Sequence, residues 1–153
     1  MACEFSNNAV QTVNPGETVI FTESPVLCNS GLVRHRDDTG TFLCAGRVNR
    51  CSCGCLPRSA NYLVDFGANI AIPTGGTVGA ISLAISLDGS TIPTTEMIAT
   101  PTAIGQYFNV SDATIVPIWT GCCETLSVRN TSDQAILVQN ANIIFSRADN
   151  YQM

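Results

Sequence analysis

Residues 80–89, Ala-Ile-Ser-Leu-Ala-Ile-Ser-Leu-Asp-Gly, alternate between large apolar and small side chains with a strict period of two. Successive side chains of a strand point to opposite faces, so this pattern is typical of a strand with one buried face. The pair Asp88-Gly89 favours a two-residue hairpin turn immediately after it. We expect the core to receive Ile81, Leu83, Ile85 and Leu87, and the outer face to carry Ala80, Ser82, Ala84 and Ser86.

The same period recurs along the chain, and no segment shows an apolar period of 3.6 residues over three turns. Turn residues separate the strands, as in Asn14-Pro15-Gly16-Glu17 and Asp37-Asp38-Thr39-Gly40. About eight to ten antiparallel strands of this length indicate an all-β jelly-roll β-sandwich. We expect an N-terminal arm over residues 1–10, the jelly-roll domain over 11–147 and a C-terminal tail over 148–153. The predicted strands are Val10–Val13, Thr18–Thr22, Gly31–Arg36, Thr41–Ala45, Asn61–Ile72, Ala80–Leu87, Thr94–Thr100, Gly105–Val110, Thr114–Trp119, Glu124–Asn130 and Ala135–Ser146.

The composition points away from nucleic acid and membrane partners. The 153 residues carry a net charge of −5 and no lysine, so no basic field is available to attract polyanions. No apolar run approaches the roughly 20 residues of a transmembrane helix, and residues 1–8 lack the basic and apolar regions of a signal peptide. Charged residues make up only 12% of the chain, about half the usual share, which favours surfaces that contact other subunits.

The eight cysteines are the strongest functional signal. Five of them fall in two clusters, Cys51-Ser52-Cys53-Gly54-Cys55 and Cys122-Cys123; the others are Cys3, Cys28 and Cys44. They admit three interpretations, namely disulfides within the subunit, disulfides between subunits, or a zinc or iron–sulfur site. Zinc sites favour paired Cys-x(2–4)-Cys halves, which this spacing does not match. We favour crosslinks between subunits, with Cys3 on the arm bonding to a cluster of a neighbour.

Other candidate residues carry less chemistry. His35 is the only histidine, and a partly exposed strand histidine is a simpler interpretation than a Cys-His nucleophile pair. Asp37-Asp38 lacks an acidic partner at the spacing of a calcium loop, so turn chemistry explains it better. Trp119 and Tyr107-Phe108 are candidates for a ligand groove, although a position in the core or at an interface is the more frequent one for such residues. The sequence therefore predicts no catalytic residue, no metal ligand, no cofactor and no enzymatic activity.

Several short motifs between Gly31 and Pro93 resemble the C-terminal domain of the collagen-like glycoproteins on bacterial spore surfaces. These motifs are Gly31-Leu32-Val33, Thr39-Gly40-Thr41-Phe42-Leu43, Tyr62-Leu63-Val64-Asp65-Phe66, Thr77-Val78-Gly79, Ser82-Leu83-Ala84-Ile85-Ser86-Leu87-Asp88-Gly89 and Ile92-Pro93. Those domains resemble the tumour-necrosis-factor and complement-head jelly rolls. The resemblance implies a ten-strand jelly roll, a homotrimer on an external surface, and no catalytic residues. The chain departs from it by lacking a Gly-X-Y segment and by a long Arg/Cys loop between Phe42 and Tyr62.

Two hypotheses of function follow. The first is a non-enzymatic structural subunit that self-assembles into a disulfide-stabilised filament or layer, extracellular or on a spore surface, reached without a visible signal peptide. The alternative is a homotrimeric jelly-roll head that binds a glycan or a surface receptor. Both make another copy of this chain the main partner. A metal-binding cysteine protein is a third, weaker hypothesis.

Overall fold

The computed structural model describes residues 1–49, 54–55, 57–121 and 123–149. Strands account for most of the regular structure in these residues, and one short 3-10 helix, Pro93–Thr95, precedes β9. No helix in the described residues is long and apolar enough to span a membrane. The strands are β1 Ala2–Asn7, β2 Gln11–Val13, β3 Glu23–Val26, β4 Val33–His35, β5 Phe42–Ala45, β6 Ser59–Ala71, β7 Ile81–Leu87, β8 Ser90–Thr91, β9 Met97–Ala99, β10 Phe108–Trp119, β11 Cys123–Asn130 and β12 Ile136–Arg147.

The strands form two sheets that face each other across one core. Sheet I has the order β10-β6-β12-β1-β3, and β2 also pairs with β12. Sheet II has the order β4-β5-β11-β7-β8, and β9 also pairs with β7. Every ladder between these strands is antiparallel. The predicted all-β jelly-roll sandwich is therefore confirmed.

Strand β6 supplies the centre of sheet I. It pairs with β10 from Ser59 to Ile70 and with β12 from Tyr62 to Ala71. The predicted apolar face is confirmed, because alternate side chains of this segment are at most 2% exposed. These side chains are Tyr62, Val64, Phe66, Ala68, Ile70 and Ile72.

Strand β7 is buried on both faces, which corrects the prediction that its small side chains face solvent. Ser82, Ala84 and Ser86 are buried along with the large apolar residues between them. β7 lies between β11 on one side and β8 with β9 on the other, and the 3-10 helix also packs against it, since Ile85 N–H donates to Thr95 Oγ1 at 2.9 Å. The serine hydroxyls find lateral partners, because Ser82 Oγ lies 2.6 Å from the Thr131 hydroxyl.

Several strand boundaries also differ from the prediction. The sequence predicts two strands, Gly105–Val110 and Thr114–Trp119, whereas the structure has one continuous strand, β10, from Phe108 to Trp119. Residues 105–107 precede it and are not in a strand. Thr18–Thr22 forms no strand of its own; Thr18 makes an isolated bridge to Arg129 in the part of the chain described. The turn prediction at Asp88-Gly89 is confirmed, since both residues have positive φ, 49° and 84°, and connect β7 to β8.

The segment assigned to an N-terminal arm belongs to the sandwich. β1 pairs with β12 from Ala2 to Asn7 and also pairs with β3, so it lies inside sheet I and does not extend freely. Its alternate residues Cys3 and Phe5 face the core. The start of the predicted tail is likewise bound, because Ala148 N–H donates to Asn61 O at 2.8 Å. Residues 150–153 lie outside the described part.

A close approach of two loops fixes the position of Gly40. A Cβ at this position would overlap the backbone oxygen of Val19 and the side chain of Thr18. At the same contact, Phe21 N–H donates a hydrogen bond to Thr39 O, with an N–O distance of 3.0 Å. Glycine is therefore required where the Asp37–Gly40 turn packs on the segment that leads to β3.

One disulfide joins Cys3 to Cys28, with a Cα–Cα distance of 4.9 Å. It connects the buried face of β1 to the segment that follows β3. Because Cys3 is 1% exposed and already bonded within the subunit, the prediction that it bonds to a neighbour is wrong.

We expect the double variant Cys3→Ala/Cys28→Ala to fold but to lose about 3 kcal/mol of unfolding free energy, since a closed loop of this length restricts the unfolded chain. The sequence separation is 25 residues. Guanidinium unfolding followed by circular dichroism measures the loss. A loss below about 1 kcal/mol would show that this crosslink contributes little to stability.

Candidate interaction surfaces

His35, the candidate for acid–base chemistry, is part of an aromatic cluster. Its ring stacks on Phe42 with a centroid distance of 4.7 Å and lies 5.0 Å from the ring of Phe5. Its Nε2 lies 2.8 Å from the backbone oxygen of Thr39, in the Asp37–Gly40 turn. These contacts give His35 a structural role in joining β4 to the core and the turn. Within the described ranges, no three His, Cys, Asp or Glu side chains are arranged to hold a metal ion.

The remaining cysteines differ sharply in environment. Cys44 on β5 is buried, whereas Cys123 at the start of β11 and Cys55 are exposed. Cys51, Cys53 and Cys122 lie outside the described residues, so their predicted crosslinks stay predictions.

The backbone flanking the two cysteine clusters is hydrogen-bonded together. Thr120 Oγ1 donates to Pro57 O at 2.6 Å, and Thr120 N–H donates to Arg58 O at 3.0 Å. Gly121 N–H donates to Gly46 O at 3.4 Å. Both cysteine-bearing segments therefore begin and end at the same edge of the sandwich. The sequence identified the two clusters but gave no sign of this proximity, because their separation along the chain is about 70 residues.

The core below this edge holds two groups that resist ionisation. Burial raises the pKa of the Cys44 thiol to about 12, and the nearby Cys123 and Glu124 add to the effect. Burial also raises the pKa of Tyr62 to about 12, and the neighbouring Cys44 raises it by a smaller amount. The Tyr62 hydroxyl donates to Ala45 O at 2.6 Å. Since the thiolate is the reactive form of cysteine, Cys44 is inert at neutral pH.

The aromatic residues proposed for a ligand groove do not meet. Phe108 begins β10, Tyr107 immediately precedes it, and Trp119 ends the same strand. An extended strand of this length separates its ends by about 36 Å. All three side chains are exposed, but they cannot line one groove.

The outer face of sheet I carries a group of exposed large apolar side chains on neighbouring strands, which we call the apolar face. It consists of Leu63, Ile115 and Ile144, which are 40%, 59% and 37% exposed. Ile115 lies directly opposite Leu63 on the neighbouring strand. Ile144 lies opposite Asp65, one diagonal step from Leu63 and within reach of it.

The edge strand extends this surface. Outward-facing residues of β10 are apolar at four successive alternate positions, all of them exposed: Ala113, Ile115, Pro117 and Trp119. Contiguous exposed apolar surface of this kind marks a protein–protein contact more often than scattered single residues do. From the sequence, Trp119 is a candidate for a ligand groove, for the core or for an interface; the structure places it on the exposed side of β10.

Solved structures share this fold at low sequence identity. The globular domain of zebrafish complement 1qA protein is 12% identical, with 99% of this chain and 98% of that chain covered and a TM-score of 0.61. The Eiger TNF of S. frugiperda is 14% identical over 100% and 95% of the two chains, with a TM-score of 0.63. Murine APRIL is 10% identical over 95% and 97%, with a TM-score of 0.56. No protein-family model and no curated protein sequence matches the chain.

The raised pKa values predict a loss of stability at alkaline pH. The ordinary thiol pKa is 9.0, so between pH 9 and 12 the unfolded chain ionises at Cys44 while the folded chain stays protonated. The unfolded state then binds fewer protons, and stability falls as pH rises through this window. We expect ionisation of Cys44 in the unfolded chain to lower the unfolding free energy by roughly 2 kcal/mol at pH 10.5 relative to pH 8.

Urea unfolding of the native chain and of Cys44→Ala at pH 8, 9.5 and 10.5 measures this effect. The variant begins less stable because of the cavity, but its stability should fall less steeply with pH. Parallel curves for the two proteins would mean that Cys44 ionises as readily in the folded chain as in the unfolded one.

Proposed function

We propose that this chain is a non-enzymatic subunit of a homotrimeric jelly-roll head that acts outside the cell. The observation that carries the proposal is the apolar face of sheet I. The exposed patch is centred on Leu63 and extends along the edge strand β10. Exposure of apolar side chains to water is unfavourable, and contact with another copy would remove them from solvent.

The chemistry of the face fits contact with a second copy. Its charged groups are Glu4 and Asp65, and Glu4 is already bonded to Asn142 at 3.2 Å. A contact over this face therefore desolvates few charges, as in the cores of homo-oligomer interfaces. The family resemblance of Gly31–Pro93 implies three copies, which is one of the closed symmetric arrangements available to such heterologous contacts.

An external location is part of the same proposal. The Cys3–Cys28 disulfide favours an oxidising environment. The neighbours in structure are described as a complement globular domain and a TNF, which supports the same assignment by analogy of fold.

The test is the mass of the protein in solution, measured by size-exclusion chromatography with light scattering. We expect three times the subunit mass of 16.2 kDa. Leu63→Glu/Ile115→Glu places two charges in the contact and should yield monomers at micromolar concentration. Leu43→Glu is the matched control, because Leu43 is exposed on β5 of sheet II, between β4 and β11.

Each outcome is decisive for the proposed contact. A monomeric native protein would contradict self-association, and an unchanged trimer in the double variant would contradict the apolar face as its site. Loss of the trimer in Leu43→Glu alone would move the contact to sheet II.

A second candidate is the disulfide-linked filament or layer on an extracellular or spore surface. The observation that favours it is the exposed Cys123, which lies at the edge where both cysteine-bearing segments meet. An exposed thiol at such an edge can form a disulfide with another subunit under oxidising conditions.

This candidate predicts a ladder of multiples of 16.2 kDa on non-reducing denaturing gels, which collapses to monomer with reductant. Cys123→Ser should weaken the ladder, whereas Cys44→Ala, at a buried position, should leave it intact. Negative-stain microscopy of the same samples should show filaments. Monomer alone in the absence of reductant would contradict covalent assembly.

A further inference from the structure

The outer face of sheet II carries two adjoining pockets of about 310 and 540 Å³. Arg34 and Leu43 line both pockets. The two pockets therefore form one elongated depression, which we call the arginine groove. Arg47 and Cys123 lie in the smaller pocket, and Arg36 in the larger. The groove follows β5 and its neighbours β4 and β11.

Strand pairing explains why the arginines lie along this groove. Arg34 is directly opposite Leu43 in the β4–β5 ladder, and both side chains are exposed. Arg36 N–H donates to Thr41 O at 3.3 Å, which brings Arg36 beside the start of β5. Outward positions along β5 recur every second residue, about 6.6 Å apart. The groove thus presents cationic groups at both ends, with Leu43 and Ala45 between them.

The charge of the groove is opposite to that of the chain. Five of the seven arginines fall within residues 34–58, although the net charge is −5. Among the described residues, no acidic side chain lines either pocket. Arg34, Arg36 and Arg47 are exposed, and within the described part of the chain the only side-chain ion pair is Arg147–Asp149.

Among the described residues, nearby carboxylates form no ion pair with these arginines. Asp37 and Asp38 line a neighbouring pocket, which shares only His35 with the described lining of the groove. Asp88 lies beyond the groove and accepts the Thr125 N–H at 2.8 Å. Glu124 lies opposite Cys44, so it belongs to the inward-facing row of β11. The three guanidinium groups are therefore available to a ligand.

We propose that the arginine groove binds an acidic peptide segment of a partner protein in an extended conformation. Guanidinium groups hold carboxylates with two parallel hydrogen bonds. In an extended peptide, every second side chain faces the groove at the same spacing as the outward residues of β5. An acidic residue can then meet the arginines while an apolar residue contacts Leu43, which is 41% exposed.

An oligosaccharide fits this groove less well. No Trp, Tyr or Phe is among the described residues that line it, and the ring of His35, which borders the larger pocket, is already stacked on Phe42. The groove also lies on the opposite sheet from the apolar face. Peptide binding is therefore expected whether or not copies associate through sheet I, and the two proposals fail separately.

Fluorescence polarisation with the full chain tests the proposal. The probe is a labelled peptide Glu-Ser-Leu-Ser-Glu-Ser-Glu, compared with the same peptide carrying Gln in place of each Glu. We expect binding of the acidic peptide only, with affinity that falls between 50 and 200 mM NaCl because the contacts are ionic.

Arg34→Gln should weaken binding about tenfold, because Arg34 lines both pockets, and Leu43→Glu should weaken it as much by charge repulsion. Arg58→Gln is the matched control, since it removes the same charge from an exposed arginine outside the groove. It should change affinity by less than about twofold. Thermal unfolding of each variant checks that the fold is retained.

Three outcomes would overturn the proposal. The first is no binding of the acidic peptide by the native chain. The second is an equal loss in Arg58→Gln and Arg34→Gln, which would indicate attraction by net charge without a site. The third is a heparin-derived octasaccharide that competes for the groove and binds more tightly than the peptide.

Discussion

The register of β6 is the constraint on which the rest of the molecule depends. This strand lies between β10 and β12 and has its alternate side chains in the core, from Tyr62 to Ile70. A shift of one residue would move this whole row to the surface and bring Leu63 and Asp65 inside. Burying Asp65 without a partner would cost far more than the exposure of Leu63 costs now. The register that builds the core is therefore also the one that leaves the apolar face outside.

The strands that sequence patterns predict well are those whose two faces differ in chemistry along their whole length. β6 satisfies this condition, and so do β11 and β12 in outline. β10 does not, because its inward row contains Asp112 and Thr114 among Val110, Val116 and Ile118. Asp112 Oδ2 is buried and has no hydrogen-bond partner in the described residues. An inward-pointing charge on an edge strand opposes pairing with further strands. The polar residues that divide β10 into two predicted strands therefore include the charge that protects this edge from further pairing.

β1 was missed for a different reason. Its inward residues Cys3 and Phe5 alternate correctly, but the strand is short and the polar residues around it resemble a solvated arm. What determines its position is its pairing with β12, almost the whole chain away. The same holds for the two cysteine clusters and for the arginine groove. Local patterns identified Cys123 and the arginine-rich segment, but only the Thr120–Pro57 contact and the Arg34–Leu43 pair bring their members together.

The two sheets present surfaces of different chemistry, and this difference argues for a division of roles. Sheet I exposes apolar side chains with few charges, which a contact between copies can bury at small desolvation cost. Sheet II exposes arginines around Leu43, and burying these without acidic partners would be expensive. Association through sheet I leaves the arginine groove facing outward, where it can select an anionic ligand. An arrangement with sheet II at the contact between copies would need carboxylates from the neighbouring subunit, and Asp65 and Glu4 are the charges that the apolar face could offer. Two acidic groups cannot pair with three exposed arginines, so a contact of this kind would leave a guanidinium without a carboxylate.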